Sequence, residues 1–576
     1  MLKLNKCPKN YTADLDKATS PGDTVEQVKK SLSSRGRDIL QDLERIDTGR
    51  LNIPVYISRV GSYAQSVMPT GKQMGKGSSP DQARASAIME LVERYSLFSF
   101  QNKQENFISL TWTEAEAKFP NDLIPINEII YSVGEDISPE DAQTVMDLIK
   151  WDFCPALHLQ GNREYHLPLN WFKKLNEFNG SSAGNTFEES ILQGGCELIE
   201  RHVCAIIDRE EPLLPTIDPD SFQDPTLIEL YQTFCKNNIE IWLKDFTLNM
   251  GIPTVGALAF DKSTFPHLSE IVFTAGTATS PEKAAVRALT ETAQLAGDFE
   301  TGSSYDPSGL RKFNLIEDTN WLRQGETVSI NNLPDISDND LFHELKGLTA
   351  ELDFRGYQFY TVNTTNPELQ VPANYNIIPG FLFRERTPFA SLGLFVGRIL
   401  AEEYPVEKAS GKLDILEQIY PGKYFIPFFR GLIELRKGNP EQADKQFRQS
   451  EPMQPSREEQ SLVAFYQAYA NTQTESWEKA LDNLDRAISL SSDNHAYYNL
   501  RGVAHFKLQE FYKAASDFES ALNIDMGSAT DLANLGLCHK FMDNPEKARE
   551  LLNKSLELDP SLDFIKRHLK ELEEFQ

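Results

Sequence analysis

Residues 83–97 read ARASAIMELVERYSL, and this stretch decides how the first four hundred residues are built. Ala85, Ile88, Met89, Leu91, Val92 and Leu97 cover most of a helix circumference and leave little of it for a solvated face. Ser86, Glu90, Glu93 and Arg94 nevertheless recur at i, i+4, i+7 and i+8, inside one sector of about 100°. Residues 190–206 repeat the pattern: Glu197-Leu-Ile-Glu200-Arg201 echoes Glu90-Leu-Val-Glu93-Arg94, and Glu189 and Gln193 extend the polar stripe upstream. A third helical stretch, 281–297, sets Arg287 and Glu291 four residues apart among alanines and leucines.

One glutamate–arginine pair on a surface helix is worth only ~0.3–0.5 kcal/mol and would need no further explanation. Two near-identical copies in apolar helices, with a third pair elsewhere, ask more. Burying carboxylates costs several kcal/mol apiece unless cations compensate. Clustered hard oxygen ligands suit Mg²⁺, and interleaved guanidinium forks suit the phosphates that Mg²⁺ bridges. The residues therefore point to a Mg–nucleotide site. Asn179–Asn185 (NGSSAGN) leads into the second helix and Gly75-Lys76-Gly77 precedes the first; each is either an anion-cradling turn or an ordinary connection. No GxxxxGK[ST] occurs, so a P-loop enzyme is not supported.

Around these helices lie short β-like runs: Ile53–Ser58, Ile239–Leu243, Glu270–Thr274 and Gln358–Val362. Ser79-Pro80-Asp81 and Ser280-Pro281-Glu282 supply a capping serine, a proline at the first helical position and an acid facing the helix dipole. The expected fold is α+β, a mixed α/β domain.

Beyond it the texture becomes repetitive. Gly431, Ala468, Gly502 and Gly536 are each followed twelve residues later by Ala443, Ala480, Ala514 and Ala548, and four further on by Phe447, Leu484, Phe518 and Leu552. The last three units recur every 34 residues; the first is offset by 37. Small residues let paired helices cross closely, and the larger ones fill the groove to the neighbour. From about Tyr424 to Pro560 the chain resembles an all-α tetratricopeptide solenoid, with residues 561–576 as a charged capping helix. Glu402–Glu417 reads as a linker, which sets a domain at 1–405, a connection at 406–420 and the repeats at 421–576.

The formal charge of −28 disfavours bulk nucleic-acid or anionic-membrane binding. No uninterrupted apolar run reaches the ~18 residues of a membrane span, and no apolar core follows the N-terminal lysines, so no secretory signal is expected. Six scattered cysteines without a CxxC pair fit a reducing cytoplasm.

Three separated motifs, in order, resemble the ATP signature of the YcaO family: Ser86-x3-Glu90-x2-Glu93-Arg94, then Ser182-x6-Glu189-x3-Gln193 into Glu197-x2-Glu200-Arg201, then Arg287-x3-Glu291. Lys17 is similar to the family's N-terminal nucleotide-reaching lysine, and Ile377-Ile-Pro-Gly380 fits its closing segment. The resemblance implies Mg²⁺ ligands at Glu90, Glu93, Glu189, Glu197, Glu200 and Glu291. It implies ATP contacts from Lys17, Ser86, Arg94, Ser182, Asn185, Gln193, Arg201 and Arg287. Glu189 has a second reading, as capping-box partner of Thr186.

The implied activity is ATP-dependent O-phosphorylation of a peptide backbone amide, followed by attack of a nucleophile on the activated carbon. Azoline-forming members carry a proline-rich tail and a leader-binding partner. This sequence ends LEEFQ, so the expectation falls on thioamidation or an accessory role in ribosomal-protein β-methylthiolation. The substrate is a peptide or protein, and the repeats are expected to recruit a partner such as a modifying enzyme. A homodimer stays open. The alternative from another class is a non-catalytic nucleotide-binding scaffold; six carboxylates favour turnover, since an adenine binder needs none of them.

Overall fold

A computed structural model describes residues 2–33, 37–305 and 309–574; Met1 and the last two residues of the expected capping helix lie outside these. Val55–Val60 (VYISRV) buries all of its residues but Tyr56 and Arg59. It is the middle, β2, of an antiparallel sheet with β1 (Leu40–Arg45) and β3 (Lys72–Lys76). The second sheet has the order β4-β5-β13-β14-β7, with β6 paired to β5. These strands are β4 (Ile108–Leu110), β5 (Trp151–His158), β6 (Arg163–Pro168), β7 (Ser181–Ala183), β13 (Tyr360–Asn363) and β14 (Ala373–Ile377).

The third sheet runs β11-β10-β9-β8-β12. Its members are β8 (Thr216–Asp218), β9 (Glu240–Asp245), β10 (Thr254–Phe260), β11 (Val272–Thr277) and β12 (Thr327–Ser329). Strand β10, TVGALAF, is buried throughout, as a strand covered on both faces should be. The expected strands near 53, 239, 270 and 358 all form, each beginning one or two residues later than read.

Each sheet carries one charged helix. Pro80–Gln101 packs on β2 and β3, Phe187–Glu210 on β7 and β14, and Pro281–Ala296 on β10 and β11. Three apolar cores result, around Ile88 and Leu91, around Ile199 and Val203, and around Ala285 and Leu289. Among the described residues no helix is long and apolar enough to cross a membrane.

The chain divides into compact units at Ala390/Ser391, earlier than the boundary expected near 405. The stretch expected as a linker, 406–420, is largely the helix Val406–Ile419, which buries Ala409, Leu413 and Leu416. Their spacing of four and three is a helix signal that the surrounding lysines and glutamates obscure.

The second unit continues as helix pairs, Phe425–Arg436 with Pro440–Ser450, Arg457–Gln473 with Trp477–Leu490, His495–Lys507 with Phe511–Ile524, and Ala529–Phe541 with Pro545–Leu558, closed by Asp563–Glu574. A Cβ on Gly431 would stand 2.4 Å from the Phe447 ring, on Gly502 2.9 Å from Phe518, and on Gly536 2.9 Å from Leu552. The small and large landmarks of the repeat therefore meet each other inside every pair.

Candidate functional site

Three strands of the first unit end three residues before the cap of a charged helix. Strand β3 ends at Lys76, β7 at Ala183 and β11 at Thr277. The caps are Ser79, Thr186 and Ser280, whose side chains accept the backbone N–H of Gln82, Glu189 and Lys283. Counted from each cap, positions +7, +11, +14 and +15 hold Ser86, Glu90, Glu93 and Arg94 in the first helix. They hold Gln193, Glu197, Glu200 and Arg201 in the second, and Arg287, Glu291, Gln294 and Leu295 in the third. These spacings stack side chains on one helix face, and all twelve residues line a single cavity of about 360 Å³. That volume lies in the usual range for a small-molecule site.

The opposite helix face meets the strands. Positions +4 and +8 are Ala83 and Ala87, Ser190 and Gly194, and Ala284 and Ala288, all small. A Cβ on Gly75 would lie 2.0 Å from the Ala87 nitrogen, and one on Gly276 2.4 Å from that of Ala288. Glycine is needed at both because the strand backbone lies against the helix. Ser182 holds the corresponding place in β7. It is buried, 3.3 Å from the Ser190 hydroxyl, and accepts the Asn376 amide at 2.9 Å. Of the fourteen residues expected at the site, thirteen line the cavity and Ser182 does not. Strand alternation turns it toward the helix, away from the space its neighbour Ala183 reaches.

Six carboxylates and five cations line the cavity, and most of them are paired with one another. Arg94 lies 3.3 Å from Glu93 and 3.9 Å from Glu90, and donates to the Ser181 hydroxyl, which in turn donates to Glu93. Arg201 lies 3.9 Å from Glu197, Lys17 3.7 Å from Glu189, and Lys76 forms an ion pair with Glu291. Arg287 donates to the Gln193 carbonyl at 2.9 Å.

Burial pushes the Glu90 and Glu197 carboxyls up. It pushes Glu93 up to about 8, against the pull of Arg94 and with Glu197 and Glu90 adding like charge. Burial lowers Lys76 to about 8, with Arg287 acting in the same direction.

Two signs fit this set to a polyphosphate with divalent cations. The Nε atoms of Arg201 and Arg287 are buried without a hydrogen-bond partner, so planar donors stand ready for a further acceptor. Several ion pairs are long, which leaves both members room for stronger counter-charges. Among the described residues no three acids, histidines or cysteines converge as a protein-only metal cage. Mg²⁺ does not require one, since it retains water and takes phosphate oxygens beside one or two carboxylates.

Glu189 behaves differently. Its carboxylate accepts from the Asn185 side chain at 3.0 Å and from the Ala18 backbone at 2.9 Å, tying the N-terminal segment to the second helix. Thr186 caps that helix through the Glu189 N–H, while the carboxylate turns to these other donors.

Residues 74–382 match the family model described as YcaO cyclodehydratase, ATP- and Mg²⁺-binding, and so cover more than half of the chain. The chain belongs to the YcaO family. An uncharacterized protein of Methanothermobacter thermautotrophicus is 25% identical over 392 residues, covering 63% of this YcaO chain and 94% of that protein. The ribosomal protein S12 methylthiotransferase accessory factor YcaO of Escherichia coli is 28% identical over 211 residues, 32% of this chain and 35% of that one. A solved heterocyclase in complex with substrate and cofactor shares the fold at a TM-score of 0.51 and 21% identity, covering 66% of this chain and 54% of its own length. Residues 375–529 match the Iml2/tetratricopeptide repeat protein 39 model and 532–562 a tetratricopeptide repeat model.

Thr24, Gln294 and Lys76 of this YcaO chain also line the cavity but were not among the expected site residues. Gln294 was accessible to reading, being one turn beyond Glu291. Thr24, which donates to the Asn185 side chain at 2.9 Å, carries no local signal.

Proposed function

We propose that this YcaO protein binds Mg–ATP in the three-helix cavity and uses it to activate a backbone amide of a peptide or protein substrate. One observation carries the reading: the same four helix positions, repeated three times, bring together acids and cations that neutralise one another. A divalent ion and a polyphosphate can replace each partner by a stronger one.

Glu90, Glu93, Glu197, Glu200 and Glu291 would hold the metal, which supplies charge neutralisation at phosphoryl oxygens. Arg94, Arg201 and Arg287 hold the negative charge that phosphoryl transfer spreads over those oxygens. Lys17 and Asn185, joined through Glu189, secure the N-terminal segment beside the cavity.

Resonance makes an amide carbonyl a poor electrophile. Its oxygen attacks the terminal phosphorus and the bond to ADP breaks. A nucleophile then adds to the carbonyl carbon, its proton passes to phosphate, and the carbon–oxygen bond breaks to release orthophosphate. Sulfide as nucleophile yields a thioamide, the product class we favour beside an accessory role of the kind named for the E. coli relative. The tetratricopeptide unit recruits the protein partner.

Incubation with Mg–ATP should release orthophosphate slowly, and proteins co-purified under ATP should show backbone mass shifts of oxygen-to-sulfur exchange. Tight binding with no turnover in the presence of those proteins would instead make the chain a nucleotide-binding scaffold. Residues 1–390 alone should keep Mg–ATP binding and lose the co-purified partner.

A further inference from the structure

Of the five cations lining the cavity, Lys76 alone comes from the end of a sheet strand rather than from a helix or the N-terminal segment. Its place is fixed by its neighbours. A Cβ on Gly75 would strike the backbone of Ala83 and Ala87, and one on Gly77 would lie 2.6 Å from Gln82. The strand end is therefore held against the first charged helix.

The register shows what Lys76 replaces. Glu90 and Glu197 each have an arginine four residues later on their own helix, Arg94 and Arg201, and each pair is joined. The equivalent of those arginines for Glu291 is Leu295, an apolar residue packed against the core of the third helix. Lys76 fills the gap from another sheet by pairing with Glu291. Its ammonium feels Arg287, Glu200, Glu90 and Arg201, residues of all three helices that line the same cavity. The rest of the cavity, around Pro21, Ala85 and Met89, is weakly charged and better suited to a nucleoside.

Resting on the nucleotide reading above, we propose that Lys76 is an exchanging counter-ion that selects a nucleoside triphosphate over a diphosphate. In the nucleotide-free protein it neutralises Glu291. When a divalent ion takes Glu291, the released ammonium is left in a half-buried site among other cations and gains from a new anion; the terminal phosphate delivered with that ion is the anion within reach.

Calorimetry on the full-length protein tests this with Mg²⁺ and a non-hydrolysable ATP analogue, with Mg²⁺ and ADP, and with Mn²⁺ alone. Lys76→Met should weaken the triphosphate analogue about tenfold, the worth of one charge-assisted contact, while ADP changes little. Mn²⁺ without nucleotide should bind more tightly, because Glu291 has lost its competitor. Lys76→Arg should restore the triphosphate preference. Lys76→Gln, which keeps a hydrogen bond to Glu291, serves the same comparison if the methionine variant folds poorly. Equal weakening of both nucleotides, or no change in either, would reduce Lys76 to a structural ion pair. If the wild-type protein binds neither nucleotide, the site reading itself fails.

Discussion

The Glu200 carboxylate accepts the backbone N–H of Thr277 at 3.0 Å, which ties the second charged helix to the end of the strand that feeds the third. Glu200 is thus both a proposed metal ligand and a structural clasp between sheets, whereas Glu90 bonds the Met74 backbone of the sheet its own helix packs on and Glu291 pairs with the Lys76 side chain. Glu90→Gln and Glu291→Gln are therefore the cleaner tests. Each should lower Mg–ATP affinity by about tenfold or more, ~1.4 kcal/mol, in calorimetry. Their thermal melts should stay near wild type, while Glu200→Gln should lose affinity and stability together. Unchanged binding in all three would remove the metal assignment.

Glu93 should trade stability for function. Burial holds its carboxyl near 8 in the folded, nucleotide-free protein, against an ordinary 4.5. A folded value above the unfolded one means that the unfolded chain holds fewer protons across that window. Stability contributed by the protonated group is thus present below about 4.5 and lost as pH rises through about 8. Glu93→Gln should flatten this fall, melt higher than wild type at pH 8, and bind Mg–ATP more weakly. A variant that melts lower at that pH would show that the charged form is already well compensated.

Arg94→Lys with Arg201→Lys should not support full ATP hydrolysis. Lysine keeps the charge but not the planar fork, and the buried Nε of Arg201, which lacks a partner, would have no equivalent. Wild-type hydrolysis by the double variant would count against phosphate contact by either arginine.

How much of this was legible in the sequence depends on range. Caps at Ser79 and Ser280 and the stripe from Ser86 to Arg94 involve residues at most a few turns apart, so local spacing reveals them. The turning of Ser182 away from the cavity depends on which face of β7 meets its helix, and a three-residue strand has no periodicity to show that. The pairing of Lys76 with Glu291 joins two sheets far apart in the chain, and no spacing rule connects them. The helix at 406–419 was read as a linker because its charged residues outnumber Ala409, Leu413 and Leu416.

The second unit offers a contest of two known magnitudes. Gly411 sits within the helix Val406–Ile419 with open space around it, so Gly411→Ala should gain ~1 kcal/mol of helix propensity. Gly431→Ala gains the same propensity but sets a methyl 2.4 Å from the Phe447 ring, an overpacking that costs ~1–3 kcal/mol. Hydrogen exchange in the second unit should therefore slow in the first variant and quicken in the second. Slower exchange in both would mean that Phe447 can move aside.

The shared register of the three charged helices also governs which changes of chain length can be tolerated. One residue inserted between Ser79 and Arg94 rotates everything beyond it by about 100°, carrying whichever of Glu90, Glu93 and Arg94 follow it out of the cavity. The same holds from Thr186 to Arg201 and from Ser280 to Gln294. Insertions in exposed connections between elements, such as 133–138 or 262–268, leave each cap and its stripe intact. Length variation among functional homologues should therefore be confined to those connections, with the interval from cap to stripe held constant.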